Sequence, residues 1–256
     1  MRAALATLGA AMLLLVGMCR AWATDFYELQ IYTVETAPQG HLLVEVHSND
    51  LTSATGQEAR RALPVYQYHN TIEATYGVLP YLEVGQYLCT GRLNSDTYEY
   101  AGARSKVHFG IPATESWPVA FGANLEFDYM RRAAVSDPLA LEVMPIAEAR
   151  LGRFTIIGNL TFEKQFSGPG THQGIGFEPV GALDYRLLEW LEPSVEYFGD
   201  IGAIATPLGL AGQQQFIVPA VNLYLLPQLE FNVGVGFGLT RASNGTFIAS
   251  TIGWQF

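Results

Sequence analysis

From Gln228 to Thr240 an apolar residue falls on every second position: Leu229, Phe231, Val233, Val235, Phe237 and Leu239. The positions between hold Gln228, Glu230, Asn232, Gly234, Gly236, Gly238 and Thr240. Successive side chains on a strand point to opposite faces, so this pattern predicts an extended strand with one apolar face and one polar or small face. Arg241 to Gly245 break the alternation, and a second run from Thr246 puts Ile248, Ile252, Trp254 and Phe256 on one face. The same patterning upstream predicts strands near 41–49, 68–78, 81–89, 98–109, 118–129, 139–150, 153–164, 176–187, 190–200, 214–225, 228–239 and 246–256. These segments have the length of a tilted strand that crosses a bilayer, about 9–11 residues.

The connections alternate in length. Short ones fall at Leu79-Pro80, Leu151-Gly152, Leu188-Glu189 and Leu226-Pro227, and a moderate one at Gly110 to Trp117. Longer polar ones fall at 50–67, 90–97, 130–138, 165–175 and 201–213. Short periplasmic turns and long outer loops belong to up-and-down outer-membrane barrels. The parity agrees: Val119, Phe121, Leu125 and Phe127, then Phe154, Ile156, Leu160 and Phe162, then Ile217, Val221, Leu223 and Leu225 share one face, and charges share the other. A soluble barrel needs the reverse arrangement. A free apolar edge strand at the end of the chain would aggregate in water, whereas closure within lipid removes the edge. The expectation is an all-β fold, a transmembrane up-and-down antiparallel β-barrel of about twelve strands spanning 38–256. A further extended run, Phe26 to Val34, would make thirteen strands and put the termini on opposite sides. Bacterial single-chain barrels have even strand numbers. Residues 24–37 are therefore left out of the wall, as a periplasmic leader or a segment tucked into the lumen mouth. Fourteen strands would need one from Leu51–Gln67, a polar and irregular stretch.

The N-terminus carries targeting information. Met1-Arg2 is positive, Ala10 to Met18 is apolar, and Ala21-Trp22-Ala23 is a small-x-small site, which together predict a signal peptide over 1–23 cut before Thr24. Cys19 follows Met18, where lipoprotein processing needs a small side chain. No later segment offers the roughly 18 uninterrupted apolar residues of a helical span. Lys and Arg number 14 against 24 Asp and Glu, a formal net charge of −10, and removing the leader takes Arg2 and Arg20 with it. Such a balance excludes nucleic acid as a partner, because phosphate binding needs basic surface. Cys89 alone remains, so no internal disulfide is expected. Tyr76, Tyr81, Trp117, Tyr129, Tyr185, Trp190, Trp254 and Phe256 lie near strand ends, as interfacial girdles do. The ending on Trp254 and Phe256 is similar to the assembly signal of bacterial outer-membrane barrels. It implies the barrel-assembly machinery and outer-membrane lipid as partners, and the bacterial outer membrane as location.

The inward parity collects Glu45, His47, Glu73, Glu83, Arg104, Lys106, His108, Glu126, Asp128, Glu142, Glu148, Arg150, Arg153, Glu163, Glu178, Asp184, Arg186, Glu192, Glu196 and Glu230. Acids outnumber bases. An unpaired buried charge is costly, so the lumen must hold water, ion pairs or both. The reading is a passive pore or uptake channel for small solutes with an acidic lumen, in which Glu126 and Asp128, two apart on one strand, carry cation preference. A non-transporting structural or adhesive barrel with a blocked lumen stands beside it, and a barrel hydrolase acting on lipid or peptide comes third.

Catalytic and metal chemistry find little support. Arg241-Ala242-Ser243-Asn244-Gly245 resembles the His-x-Ser-Asn-Gly stretch of outer-membrane phospholipase A, but Arg241 stands where the general base belongs, and a guanidinium cannot take a proton. The stretch reads as a polar loop turning at Asn244-Gly245. His41, His47, His69, His108 and His172 show no metal-ligand spacing, so neither metal nor cofactor is expected. Gly234, Gly236 and Gly238 alternate along a strand and form no nucleotide loop.

Several stretches together resemble the family of outer-membrane proteins labelled after the MetA pathway of phenol degradation: Glu28-Leu29-Gln30-Ile31-Tyr32, Tyr76-Gly77-Val78, Glu83 to Leu88, Gln213-Gln214-Gln215, and Gly234 to Thr240. The resemblance implies an outer-membrane barrel and carries no activity or site residues. With Glu28 to Tyr32 among the shared stretches, it also implies that the leader is more than a tether.

Mass spectrometry of the membrane-extracted protein is expected to show Thr24 as the first residue. Deleting Phe256 is expected to lower the yield in the outer membrane, and an unchanged yield counts against the assembly signal.

Overall fold

A computed structural model of the protein describes residues 29–53, 68–92, 97–114, 117–243 and 245–256. The expectations for the signal peptide, for Cys19, for cleavage before Thr24 and for a turn at Asn244 lie outside the described residues. The wall is built from β1 (Leu42–Ser53), β2 (Tyr68–Leu79), β3 (Leu82–Arg92), β4 (Tyr98–Ile111), β5 (Val119–Met130), β6 (Leu139–Leu151), β7 (Phe154–Gln165), β8 (Gly176–Tyr185) and β9 (Leu191–Asp200). After two-residue strands β10 (Gly202–Ala203) and β11 (Thr206–Pro207), it continues with β12 (Gln214–Leu226), β13 (Leu229–Gly238) and β14 (Thr246–Gln255). Each long strand pairs antiparallel with the next, β9 pairs with β12, and β1 pairs with β14. The twelve long strands thus close a ring.

The seam is complete to the last residue. Leu43 to Leu51 of β1 run in register against Gln255 to Phe247 of β14, and beyond them Phe256 N donates to Leu42 O at 2.8 Å. Strand ends differ from the alternation by a few residues. β1 runs to Ser53 rather than stopping near 49, and β8 stops at Tyr185 rather than 187. The 201–213 connection, expected as plain loop, contains the β10–β11 hairpin. Gly202 adopts φ 84 there, its N–H bonded to Asp200 Oδ1 at 2.8 Å, and Ala203 pairs with Gly176 at the rim of β8. A single turn of 3-10 helix at Pro169–His172 sits in the preceding long loop.

The two faces separate sharply. Leu125, Ile156, Leu160 and Ile252 are 44–48% exposed, while their inward neighbours Asn124, Glu126, Asn159 and Thr161 are at most 3% exposed. An apolar outer belt over a polar interior is stable only against hydrocarbon. Aromatic pairs edge the belt. At the short-turn end these are Tyr81 with Phe109, Trp117 with Phe121, and Phe154 with Tyr185, at centroid distances of 5.5, 6.1 and 4.9 Å; at the long-loop end Tyr68 meets Tyr98 at 6.4 Å.

Placing Arg at Val233 should cost ~2–4 kcal/mol in refolding into lipid vesicles, because that side chain faces hydrocarbon near mid-strand. Placing it at Asn232, beside Glu196 in the interior, is expected to be tolerated. The opposite order in a denaturant titration would mean that the two faces are inverted.

Candidate functional site

The chain N-terminal to the wall runs through the lumen. Leu29 lies at the long-loop end among Phe198, Phe216, Val218, Phe247 and Ala249, and Gly40 lies at the short-turn end, where its N–H donates to Gly77 O at 2.8 Å. A lone extended segment inside a barrel has no neighbouring strand to satisfy its backbone, so side chains of the wall must do so. The Asn159 amide pairs with both polar groups of one residue: Tyr32 N donates to Asn159 Oδ1, and Asn159 Nδ2 donates to Tyr32 O, each at 2.8 Å. Val34 N donates to Glu148 Oε2 at 3.2 Å and Ala37 N to Glu83 Oε2 at 2.6 Å. Two inward glycines let the segment approach the wall. A Cβ on Gly110 would overlap the Val34 carbonyl oxygen, and one on Gly77 would overlap the carbonyls of Ala37 and Pro38.

Tyr32 links the segment to two buried charge networks. Its hydroxyl donates to Glu126 Oε1 at 2.7 Å and lies 2.8 Å from Tyr87 Oη, and Lys106 Nζ sits 5.2 Å from its ring centroid. In the first network Lys106 Nζ contacts Glu73 Oε1 at 2.5 Å and Glu83 Oε1 at 3.1 Å. His47 Nε2 lies 3.2 Å from Glu73 Oε2, and His108 Nδ1 lies 3.2 Å from Glu83 Oε1. In the second, Arg104 holds Asp128 through two nitrogens at 2.5 and 3.0 Å, Glu126 at 3.1 Å and Glu142 at 3.9 Å. Glu126 and Asp128 therefore do not act as free charges on a solute path. Their carboxylates are bound to Arg104 because the β4–β5 register sets Arg104 opposite Asp128. Removing one partner of such a pair strands a buried charge, at a cost of about 3–5 kcal/mol.

Other inward charges fall elsewhere. A cavity of about 610 Å³ runs beside the segment and reaches the short-turn rim at Gly152, Arg153 and Arg186. Arg150 spans Glu35 of the segment and Glu148 of β6, at 2.5 and 2.9 Å, and Arg186 holds Glu192 at 2.6 Å. The hydrogen bond to Glu192 pushes the Arg186 guanidinium above its ordinary value, so it stays charged at any working pH. Asp184 accepts from Ser194 Oγ at 2.5 Å and Glu196 from Asn232 Nδ2 at 3.1 Å. With Glu45 and Glu230, these acids line the cavity without a basic partner within 4 Å among the described residues. Glu163, close to the long-loop end of β7, accepts from Gln165 Nε2. On the other side of the segment a cavity of about 50 Å³ lies between Arg104, Glu142, Met144 and Phe198.

The alternation carries no signal for three residues that organise this interior: Tyr32, Tyr87 and Asn159. They are neutral, and only the packed barrel shows that they meet. The two segment-facing glycines, unusual within strands, are the nearest thing to a sequence marker. Ser243 is structural in its contacts. It accepts from Gln215 N at 2.8 Å, donates to Gln215 O at 2.7 Å and lies 2.7 Å from Thr240 Oγ1; no histidine is among these partners.

No family model matches the chain, and no curated protein does. Solved structures do resemble it. A KdgM porin aligns at TM-score 0.59 with 7% identity, over 84% of this chain and 99% of that one. A KdgM porin in complex with disordered oligogalacturonate aligns at 0.54 with 8% identity over the same shares. A NanC porin aligns at 0.52 with 10% identity, over 84% and 98%. At these identities the likeness is one of fold. The chain has the closed antiparallel architecture of outer-membrane porins, and its lipid-facing belt suits the bacterial outer membrane.

Proposed function

We propose that this protein is an outer-membrane channel for small polar and cationic solutes, and that the segment from Leu29 to Gly40 restricts it. The observation that carries the reading is the cavity of about 610 Å³ beside that segment, lined by Glu45, Asp184, Glu196 and Glu230. A narrow path within a low-dielectric wall concentrates the field of fixed charges, so a surplus of carboxylates favours cations. An anionic chain such as the oligogalacturonate of the KdgM complex would be repelled from this lumen. Towards the long-loop end the apolar cluster around Phe216 and Phe247 packs against Leu29, and moving the segment would widen the path there.

The ring of twelve strands closes without the segment, which side chains of the wall hold by its backbone and by Tyr32 and Glu35. That makes it removable without dismantling the wall. A non-transporting barrel is the second reading, and the same segment favours it: a lumen threaded by a segment and braced by two charge networks is also a rigid post.

Planar-bilayer recording separates the two. Wild-type protein is expected to show small, infrequent openings. Gly110→Ala, which sets a methyl group into the Val34 carbonyl, is expected to raise steady conductance several-fold. Gly110 is not in the left-handed region, so alanine should leave the wall intact. If Gly110→Ala and a deletion of residues 24–36 both stay silent, the protein is the non-transporting barrel.

Selectivity gives a second test. Under a salt gradient the reversal potential is expected to report cation preference. Glu196→Gln together with Glu230→Gln should move it towards zero, because these acids lack a basic partner whereas Glu126 and Asp128 have Arg104. Raising the salt from about 0.1 M to about 1 M should shrink the preference as the screening length falls from ~10 to ~3 Å. Anion preference in the wild type would overturn the reading.

A further inference from the structure

Glu45 of β1 and Glu73 of β2 are directly opposed in the antiparallel register, and both face inward. Like charges in such a cross-strand pair repel. Both are shielded from bulk solvent, at 5% and 0% exposure, and only Glu45 borders the cavity. Glu73 has compensation: Oε1 takes Lys106 Nζ at 2.5 Å and the Thr75 hydroxyl at 2.6 Å. Glu45 has none. Among the described residues its carboxylate has no hydrogen bond and no ion pair, yet it lines the large cavity. Lys106 is also shared with Glu83, so its one ammonium contacts two carboxylates and reaches Glu45 only at longer range. An uncompensated buried carboxylate is costly and takes up either a proton or a cation, and the groups around Glu45 are placed to hold the second.

His47 stands two residues from Glu45 on the same face. One ligand atom from each of Glu45, His47 and Glu73 lies within 4.8 Å of the other two. Lys106 and Thr75 occupy Oε1 of Glu73 and leave Oε2 facing His47 Nε2, 3.2 Å away. The other imidazole nitrogen, Nδ1, lies 3.2 Å from Thr251 Oγ1. When Nδ1–H donates to that hydroxyl the ring is oriented with its Nε2 lone pair towards Glu73, so an ion there would replace the present His47–Glu73 hydrogen bond. Gly253, which faces Glu45 across β14, provides room for it: a Cβ there would stand 2.9 Å from Glu45 Cγ.

We propose that Glu45, His47 and Glu73 form a site for a divalent transition-metal ion beside the cavity. Two positive charges on one ion balance the excess of carboxylate over ammonium in this network. One imidazole with two carboxylates suits zinc and its first-row neighbours better than magnesium or calcium, which take oxygen ligands. Entry is from the short-turn end, because Glu45 and Thr251 form part of the cavity wall while His47 and Glu73 lie behind them. His-x-His or His-x3-His spacing does not announce this site, since its third ligand comes from the neighbouring strand. The proposal does not depend on the channel reading, for equilibrium binding needs no transport.

The test uses full-length protein refolded in detergent micelles, with zinc and cobalt as probes. After dialysis, wild type is expected to retain about one zinc ion per barrel, with excess calcium failing to displace it. Cobalt should give a visible absorption band that zinc bleaches. Glu45→Gln and His47→Gln should each lower retention about tenfold or more, and Thr251→Val should weaken affinity about 10–100-fold while keeping every ligand. Circular dichroism checks that each barrel has formed, and Thr251→Val changes no charge, so it reports even if a ligand variant fails to fold. No retention by the wild type would overturn the proposal. So would variants that keep as much zinc as the wild type, which would place the ion elsewhere, for instance on His41 or His172.

Discussion

Every polar group that points into the closed ring must find its partner inside the ring. Lipid surrounds the wall, so neither backbone nor charge can turn outward to water. That constraint sets the central contact, the Lys106 ammonium between Glu73 and Glu83. Lys106 comes from β4, Glu83 from β3 and Glu73 from β2, so one cation ties three successive strands together across their inner face. Arg104, on the same strand, does the same for β5 and β6 through Asp128, Glu126 and Glu142. Replacing either base by a neutral residue would leave several carboxylates facing one another at low dielectric, where the repulsion is far larger than in water.

The internal segment answers the same constraint with the roles reversed. There the backbone is the group in need, and side chains of the wall meet it. Asn159 supplies both a donor and an acceptor to Tyr32, while Glu83 and Glu148 accept N–H groups further along. Glu83 serves both systems, as acceptor for Ala37 and as partner of Lys106, so the position of the segment and the charge balance of the wall are coupled.

The lumen is polarised along its axis. Leu29 packs among aromatic and aliphatic side chains towards the long-loop end, and an acidic cavity opens towards the short turns. Among outer-membrane barrels, fold likeness says little about what passes through, because the wall can be the same while the inward residues differ. Among the described residues, carboxylates without a basic partner line the large cavity on one side of the segment, and Arg104 gathers Glu126, Asp128 and Glu142 on the other.

The sequence by itself determined the wall. A period of two, the alternation of short and long connections, and the parity of charges against apolar residues were enough to place all twelve strands within a few residues and to assign their two faces, because lipid outside and polar groups inside leave one parity available. It also marked Glu45, Glu73, Arg104, Lys106 and the other charges as inward. The partners of those charges were not legible, since they depend on cross-strand register and on which long side chains lean towards which neighbour. Thus Glu126 and Asp128 looked free along the strand and are bound to Arg104, while Glu45, unremarkable in the sequence, stands unpaired opposite Glu73. The course of Leu29 to Gly40 through the lumen was likewise a tertiary decision. Its alternation fits an extended chain anywhere, and only the closed ring brings Asn159, Gly110 and Gly77 to one line where that chain can lie.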